Sequence, residues 1–87
     1  MRVLLFAALR ELAGAPRLEL DPADAADVGG LMDGLCQRFG PEFARIAAAG
    51  SVVVNGERAS RDRTLGMDDE VALLPPVSGG GAAGTGG

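Results

Sequence analysis

The apolar and polar positions at the start of the chain predict two adjacent strands. Residues 3–9 form a nearly continuous apolar run, which is typical of a strand buried on both faces. Residues 17–20 alternate polar and apolar side chains, as a half-buried strand does. Gly14 and Pro16 interrupt the pattern between these runs, so the spacing predicts a hairpin with a loop of several residues.

The middle of the chain has the spacing of an amphipathic helix. Its apolar side chains recur three or four residues apart and define one helical face, made of Val28, Leu31, Met32, Leu35 and Phe39. Asp24 is expected to cap this helix, Gly40-Pro41 to end it, and residues 42–49 to form a short second helix. Three glycines off the apolar face weaken the helix, which therefore depends on packing against a sheet.

The second half of the chain predicts more strands and, with them, the fold class. Residues 51–54 are rich in valine, Asn55-Gly56 is a strong signal for a tight hairpin turn, and residues 57–59 begin the return strand. Residues 71–74 form a last strand, which we expect beside the first strand and parallel to it. This order predicts an α+β fold of the β-grasp, or ubiquitin-like, class: a mixed sheet of four to five strands packed on one main helix plus a short second helix.

Composition excludes several kinds of catalytic site. The 87 residues include no His, no Lys and a single Cys, Cys36. The chain therefore has no imidazole base, no Ser-His-Asp or Cys-His nucleophile, no internal disulfide and no Cys-type zinc site. A net charge of −4 argues against binding to nucleic acid or to an anionic membrane.

The remaining reactive side chains have simple structural interpretations. Cys36 lies on the flank of the helical apolar face and is interpreted as a small buried hydrophobe rather than a reactive thiol. Asp68, Asp69 and Glu70 are interpreted as a solvated turn, because their spacing does not match a calcium loop. The apolar N-terminal run is too short to span a bilayer or to act as a signal peptide, so we predict a cytoplasmic protein with a reduced cysteine.

The end of the chain has an unusual composition. Six of the 14 glycines fall within the last nine residues, after Pro75-Pro76. We therefore divide the chain into a domain over residues 1–76 and a flexible Gly-rich tail over residues 77–87 that contains Gly79-Gly80. The prolines stiffen the exit from the last strand, and the small residues 77–80 can extend about 13 Å, which suits entry into a narrow tunnel of another protein.

Three segments of the chain carry a resemblance to a known family. They are residues 3–14 (VLLFAALRELAG), residues 51–57 (SVVVNGE) and residues 65–80 (LGMDDEVALLPPVSGG). These segments resemble the opening, the strand-turn segment and the closing Gly-Gly arm of molybdopterin synthase small subunits, within the MoaD/ThiS family of ubiquitin-like sulfur carriers. The Arg-Glu-Leu segment and the Pro-Pro pair resemble the MoaD branch more than the shorter ThiS branch of thiamine synthesis.

The resemblance implies a carrier rather than a stand-alone catalyst. In the family, a ubiquitin-activating-type adenylyltransferase (MoeB-like) uses ATP to adenylate the C-terminal glycine, and a sulfur donor displaces AMP to leave a thiocarboxylate. This terminus enters the large subunit of molybdopterin synthase (MoaE-like) and gives its sulfur to cyclic pyranopterin monophosphate, which forms the molybdopterin dithiolene. ATP is used by the activating enzyme, and the resemblance implies no cofactor bound to the chain itself.

The resemblance also implies roles for individual residues. Gly80, preceded by Gly79, corresponds to the reactive terminus. The residues expected to meet partners are Phe6, Arg10, Leu74, Pro75, Pro76 and Val77. The residue types alone fit an ordinary core or rim position for Phe6 and Leu74 equally well. Leu73-Leu74 also stands where family members often carry aromatic residues, so the implied docking surface is less aromatic here.

The chain departs from the family pattern at its end, because seven residues follow Gly80. Three possibilities are open: a protease trims the tail to Gly80, Gly87 is activated directly, or the chain is inactive without processing. We favour trimming, since an extended arm ending at Gly87 is longer by roughly 23 Å and would overshoot a tunnel sized for the usual arm.

Three rival functions are also compatible with the sequence. The chain could carry sulfur for another pathway, such as thiamine synthesis or tRNA thiolation. It could be a ubiquitin-like modifier that is joined to target lysines through the same glycine. It could also be a plain interaction domain with a disordered tail.

Overall fold

Five strands form one mixed sheet in the computed structural model, which describes residues 1–76. The strands are β1 (Arg2–Leu5), β2 (Arg17–Glu19), β3 (Ser51–Val54), β4 (Glu57–Arg58) and β5 (Glu70–Leu74). Their order across the sheet is β2-β1-β5-β3-β4. The last strand lies parallel to β1 and antiparallel to β3, so its predicted place beside the first strand is confirmed.

Three α-helices connect these strands within residues 1–76: α1 (Ala7–Ala13), α2 (Val28–Phe39) and α3 (Pro41–Ala49). The predicted apolar face of α2 is confirmed, because its first four members are at most 8% exposed and Phe39 packs against the core. The ring of Phe39 lies 5.2 Å from the ring of Phe43, centroid to centroid, which ties α2 to α3.

The prediction that Asp24 caps the main helix is wrong. Asp24 lies in a 3-10 turn, Pro22–Asp24, and Asp27 is the cap, with its Oδ1 accepting from the Gly30 N–H at 2.8 Å. The first two amides of α2 are satisfied by a distant loop rather than by a side chain. The Val28 N–H donates to the Arg63 carbonyl at 3.0 Å and the Gly29 N–H to the Arg61 carbonyl at 2.7 Å.

The prediction of one strand over residues 3–9 is also wrong, because β1 ends at Leu5 and α1 follows. The chain turns at Ala7, which has a φ of 51°, and Gly14 ends α1 with a φ of 79°. Leu9 is fully buried, so the apolar run joins core residues of a strand to a core residue of a helix. β1 and β2 do pair antiparallel as expected, but a helix rather than a loop connects them.

The core lies between the helices and one face of the sheet. Strand residues alternate, so Val3, Leu5, Val71 and Leu73 point to the helices and are at most 2% exposed. Phe43 of α3 is fully buried and is the largest side chain of this core. The opposite face of the sheet, called the outer face below, carries the alternate residues of the same strands.

Candidate docking face and C-terminal exit

The outer face has an apolar centre with an arginine at each edge. Residues paired in register across neighbouring strands share a face. One such row runs through all five strands: Arg17, Leu4, Ala72, Val53 and Arg58. The three central side chains are half-buried and the two arginines are exposed. The helices and the core lie on the opposite face of the sheet, so this row is available as a contact surface.

Phe6 and Leu74 extend this apolar centre towards the end of β5. Leu74 is paired with Ser51 and is half-buried. Phe6 has an extended backbone (φ −126°, ψ 149°), so its side chain continues the alternation of β1 onto the outer face, where it is 43% exposed. The sequence-predicted residues Phe6 and Leu74 therefore lie on one face of the sheet.

A shallow cleft of about 330 Å³ brings Phe6 together with Arg10. Its walls are Leu4, Leu5, Phe6, Arg10, Pro16 and Arg17. The Arg10 N–H donates to the Phe6 carbonyl at 3.4 Å, which fixes α1 against the end of β1. The cleft is therefore mostly apolar and has two exposed guanidinium groups at its rim.

The arginines of the outer face differ in how they are neutralised. Arg2, at the start of β1, forms ion pairs with Glu19 at 3.4 Å and with Glu70 at 3.5 Å. Within residues 1–76, Arg10 and Arg17 take part in no ion pair. Positive charge is therefore uncompensated at the end of the sheet where β5 leaves, and compensated at the opposite end.

The C-terminal exit starts from the centre of the sheet. β5 has β1 on one side and β3 on the other, and its last residue is Leu74. Pro75 is half-buried and Pro76 is exposed. The predicted site residues Val77, Gly79, Gly80 and Gly87 lie outside the described residues.

Cys36 is half-buried beside the core, in agreement with its interpretation as a small hydrophobe. Burial raises the pKa of its thiol above the ordinary value, and the nearby Asp33 carboxylate raises it further. The Arg61 guanidinium opposes this shift and also bonds to Asp33 at 3.1 Å. Arg61 is distant from Cys36 along the chain, so the sequence alone does not indicate this neighbour.

Asp69 has a structural role in the turn before β5. Its Oδ2 accepts from the Gly66 N–H at 2.7 Å and its Oδ1 accepts from Asn55 Nδ2 at 2.8 Å. The Asn55 amide and then the Gly66 N–H lower the pKa of this carboxyl below its usual value. Asn55 also accepts from the Glu70 N–H at 3.0 Å, so the tight turn of the hairpin is tied to the start of β5.

The described residues also bear on metal binding and on membrane insertion. No group of three or more His, Cys, Asp or Glu side chains within residues 1–76 is placed to hold a metal ion. None of the helices described there has the length and apolar character needed to cross a bilayer.

The sheet order, the helix packed across the sheet and the parallel pairing of the first and last strands define a ubiquitin-like β-grasp protein. The crystal structure of small archaeal modifier protein 1 from Haloferax volcanii has the same fold. It superimposes with a TM-score of 0.74 at 34% identity, over 92% of this chain and 98% of that one. The chain belongs to the ThiS family, whose model matches residues 3–80.

Two relatives have names that state a role. The molybdopterin synthase sulfur carrier subunit of Mycobacterium tuberculosis is 37% identical over 92% of this chain and 96% of its own length. The protein of the same name from Arabidopsis thaliana is 32% identical over 92% of this chain and 82% of its own length. The resemblance found in the three sequence segments is thereby confirmed.

Proposed function

We propose that this chain is the sulfur-carrier subunit of a molybdopterin synthase. The observation that carries the proposal is the family match over residues 3–80, which ends at the Gly79-Gly80 pair. The names of the two relatives support the pathway. The position of the exit supports the role, because a terminus that leaves from the central strand has a fixed base beside the apolar outer face.

The chemistry takes place at a main-chain terminus, which is Gly80 after trimming. A carboxylate oxygen attacks the α-phosphorus of ATP and pyrophosphate leaves. A hydrosulfide-level sulfur donor then attacks the carbonyl carbon, AMP leaves, and a thiocarboxylate remains. Its sulfur attacks a side-chain carbon of cyclic pyranopterin monophosphate that carries an oxygen substituent, and the carbon–oxygen bond breaks as that oxygen leaves. Water then cleaves the acyl–sulfur bond, which leaves the sulfur on the substrate and regenerates the carboxylate. Two such cycles supply the two sulfurs of the dithiolene.

Partner enzymes supply every side chain that this chemistry needs, since the chain has no His, no Lys and only a half-buried thiol. We propose that the large subunit and the MoeB-like activating enzyme both dock on the outer face. Phe6 and Leu74 supply the apolar contact, and Arg10 faces carboxylates of the partner. Pro75, Pro76 and Val77 are proposed to contact the partner where the chain leaves β5.

Reconstitution tests this function. The 87-residue chain and a chain ending at Gly80 are each incubated with the activating enzyme, ATP and sulfide, and their intact masses are measured. A thiocarboxylate on the shorter chain, followed by molybdopterin formation with the large subunit, is the expected result. A thiocarboxylate on the 87-residue chain overturns trimming to Gly80, and no thiocarboxylate on either chain overturns the carrier role.

The docking face is tested separately with Phe6→Ala. Loss of an apolar anchor at the centre of an interface weakens binding by roughly tenfold or more. Met67→Ala is the matched control, because Met67 is 73% exposed and lies in the turn at the opposite end of β5. Equal affinities of the two variants for the large subunit contradict docking on the outer face.

A second candidate is a ubiquitin-like protein modifier, which is favoured by one relative. Small archaeal modifier protein 1 of Haloferax volcanii is 35% identical over 87% of this chain and 95% of its own length. In this alternative a lysine amine of a target protein attacks the acyl adenylate, AMP leaves, and an isopeptide bond forms. Mass spectrometry of lysates for target lysines that carry the C-terminal glycine distinguishes the two functions.

A further inference from the structure

Gly50, between α3 and β3, lies directly against the backbone at which the tail leaves the sheet. An added Cβ at this position would stand 1.9 Å from the Leu74 carbonyl oxygen, 3.0 Å from the Leu74 carbonyl carbon and 3.1 Å from the Pro75 Cα. Gly50 has a φ of −95°, which any residue can adopt. Glycine is therefore required here for space rather than for its backbone conformation.

The exit is the part that must move if this space is filled. The α3 side is held by Phe43, which is fully buried, by Ala47, which is 6% exposed, and by the Gly50 N–H, which donates to the Ala47 carbonyl at 3.2 Å. On the β5 side, the pairing with β1 ends at Leu73, and Leu74 is paired only with Ser51 of β3. Pro75 has no N–H with which to continue the sheet.

We propose that Gly50 is a positioning residue for the C-terminal arm. The missing Cβ lets the last residue of β5 and Pro75 seat against the end of α3, and this contact sets where the arm starts and in which direction it leaves. Restoring an ordinary contact of 3.4 Å from 1.9 Å requires the exit to shift by about 1.5 Å. This inference rests on the proposed function, in which the terminus has to reach a reacting atom in a partner.

The structural consequence is tested with Gly50→Ala and the matched control Gly34→Ala in the 87-residue chain. Gly34 has no atom within 4 Å of an added Cβ. We expect the Gly50 variant to change the amide resonances of Ser51 and Leu74 while the core amides, such as that of Leu9, keep theirs. Unchanged resonances at Ser51 and Leu74, or changes that spread equally through the core, overturn the proposal.

The functional consequence is tested in a stabilised background. Gly34→Ala is combined with Gly50→Ala so that the double variant stays folded, and the carrier is the substrate of the activating enzyme in whichever form reconstitution shows to be active. A misplacement of about 1 Å at a reacting centre costs up to roughly 100-fold in rate. We expect kcat for adenylation to fall at least tenfold with KM for the carrier changed less than threefold, since no side chain of the docking face is replaced and, of its two apolar contacts Phe6 and Leu74, only Leu74 lies at the shifted exit.

These measurements separate the two proposals. A folded double variant with unchanged kcat overturns the positioning role, and a rise in KM alone assigns Gly50 to docking instead, which overturns it as well. If the unsubstituted chain accepts no sulfur in either form, the carrier function fails. The resonance comparison then still decides whether Gly50 sets the path of the exit.

Discussion

Replacing Gly34 with alanine is expected to stabilise the domain, and the same change at two other glycines of α2 is not. The twelve-residue helix contains Gly29, Gly30 and Gly34, each of which raises the entropy that folding must overcome. Gly34 is exposed and an added Cβ meets no atom within 4 Å. Alanine there improves helix propensity without any steric penalty.

At Gly29 and Gly30, nearby atoms oppose the gain in stability that alanine would bring. A Cβ on Gly29 would lie 3.2 Å from the Arg61 carbonyl oxygen, which cannot retreat freely because it accepts the Gly29 N–H at 2.7 Å. A Cβ on Gly30 would lie 3.3 Å from Asp27 Oδ1, the oxygen that caps the helix. We therefore expect the stability of the alanine variants to fall in the order Gly34, Gly30, Gly29.

The magnitude follows from helix propensity. Alanine is favoured over glycine in an exposed helix interior by about 0.8–1.0 kcal/mol. For a domain of this size, 1 kcal/mol raises Tm by roughly 4–8 °C. With a urea m-value of about 1–2 kcal/mol/M, the unfolding midpoint rises by roughly 0.5–1 M.

Urea titration followed by far-UV circular dichroism measures all three variants under one condition. The m-values serve as a control, because unchanged slopes show that only stability differs. A Gly34 variant no more stable than the unsubstituted chain refutes the reasoning. So does a Gly29 variant that gains as much as the Gly34 variant, since the contact with Arg61 would then have no cost.

Three further predictions concern other parts of the domain. Phe43→Ala should lower the free energy of unfolding in a urea titration by roughly 3–5 kcal/mol, because the Phe43 ring is fully buried. Phe6→Ala, at an exposed side chain, should lower it clearly less, and similar losses in the two variants contradict this prediction. Cys36 should react more slowly with an aromatic disulfide reagent at neutral pH in the folded chain than in urea, since its raised pKa leaves less thiolate; equal rates contradict this. The pKa of Asp69 is lower in the folded chain than in the unfolded chain, so the Asp69 carboxylate stabilises the fold. This stabilisation is fully present above about pH 4 and is lost as the pH falls through the folded-state pKa. In the Asp69→Asn variant, the urea unfolding midpoint should therefore fall less steeply below about pH 4 than in the unsubstituted chain. The same steepness in both chains contradicts this prediction.

The sequence predicted the fold class because its strongest local signals agree with one another. The Asn55-Gly56 turn forms with φ values of 52° and 86°, as the dipeptide indicates. The apolar spacing of α2 marks the side that packs on the sheet. The parallel partner of β5 followed from the length of the chain and the order of its elements rather than from any single residue.

α1 was missed because a continuous apolar run does not distinguish a strand from a buried helix. Leu9 is the only fully buried residue of this short helix, and Leu12 is 41% exposed, so no apolar stripe reveals it. Gly14, which ends α1, is the available signal in the sequence, but a glycine two residues before Pro16 is equally typical of a loop. Asp24 and Asp27 both precede the apolar face of α2, and aspartate is a favoured cap at either position, so the residue type alone does not identify Asp27 as the cap.

The sequence predicted those residues of the candidate site whose type and position match the family motifs. Phe6 and Leu74 were named from the resemblance, and the structure places both on the outer face. Gly50 carries no signal in the sequence, because a glycine after a helix is ordinarily read as a helix terminator. Its contact with the Leu74 carbonyl depends on two segments that meet only in the folded chain.

The central position of β5 also decides how the domain responds to a pulling force. A force applied through the tail acts along a strand that is bonded to β1 and to β3, so the hydrogen bonds on both sides are loaded together rather than one after another. Shear loading of both pairings opposes extraction of β5 more strongly than breaking the same hydrogen bonds one at a time would. A processive protease that grips the tail therefore meets its mechanical barrier at the sheet, whereas an enzyme that cleaves a single peptide bond in the tail does not have to unfold anything.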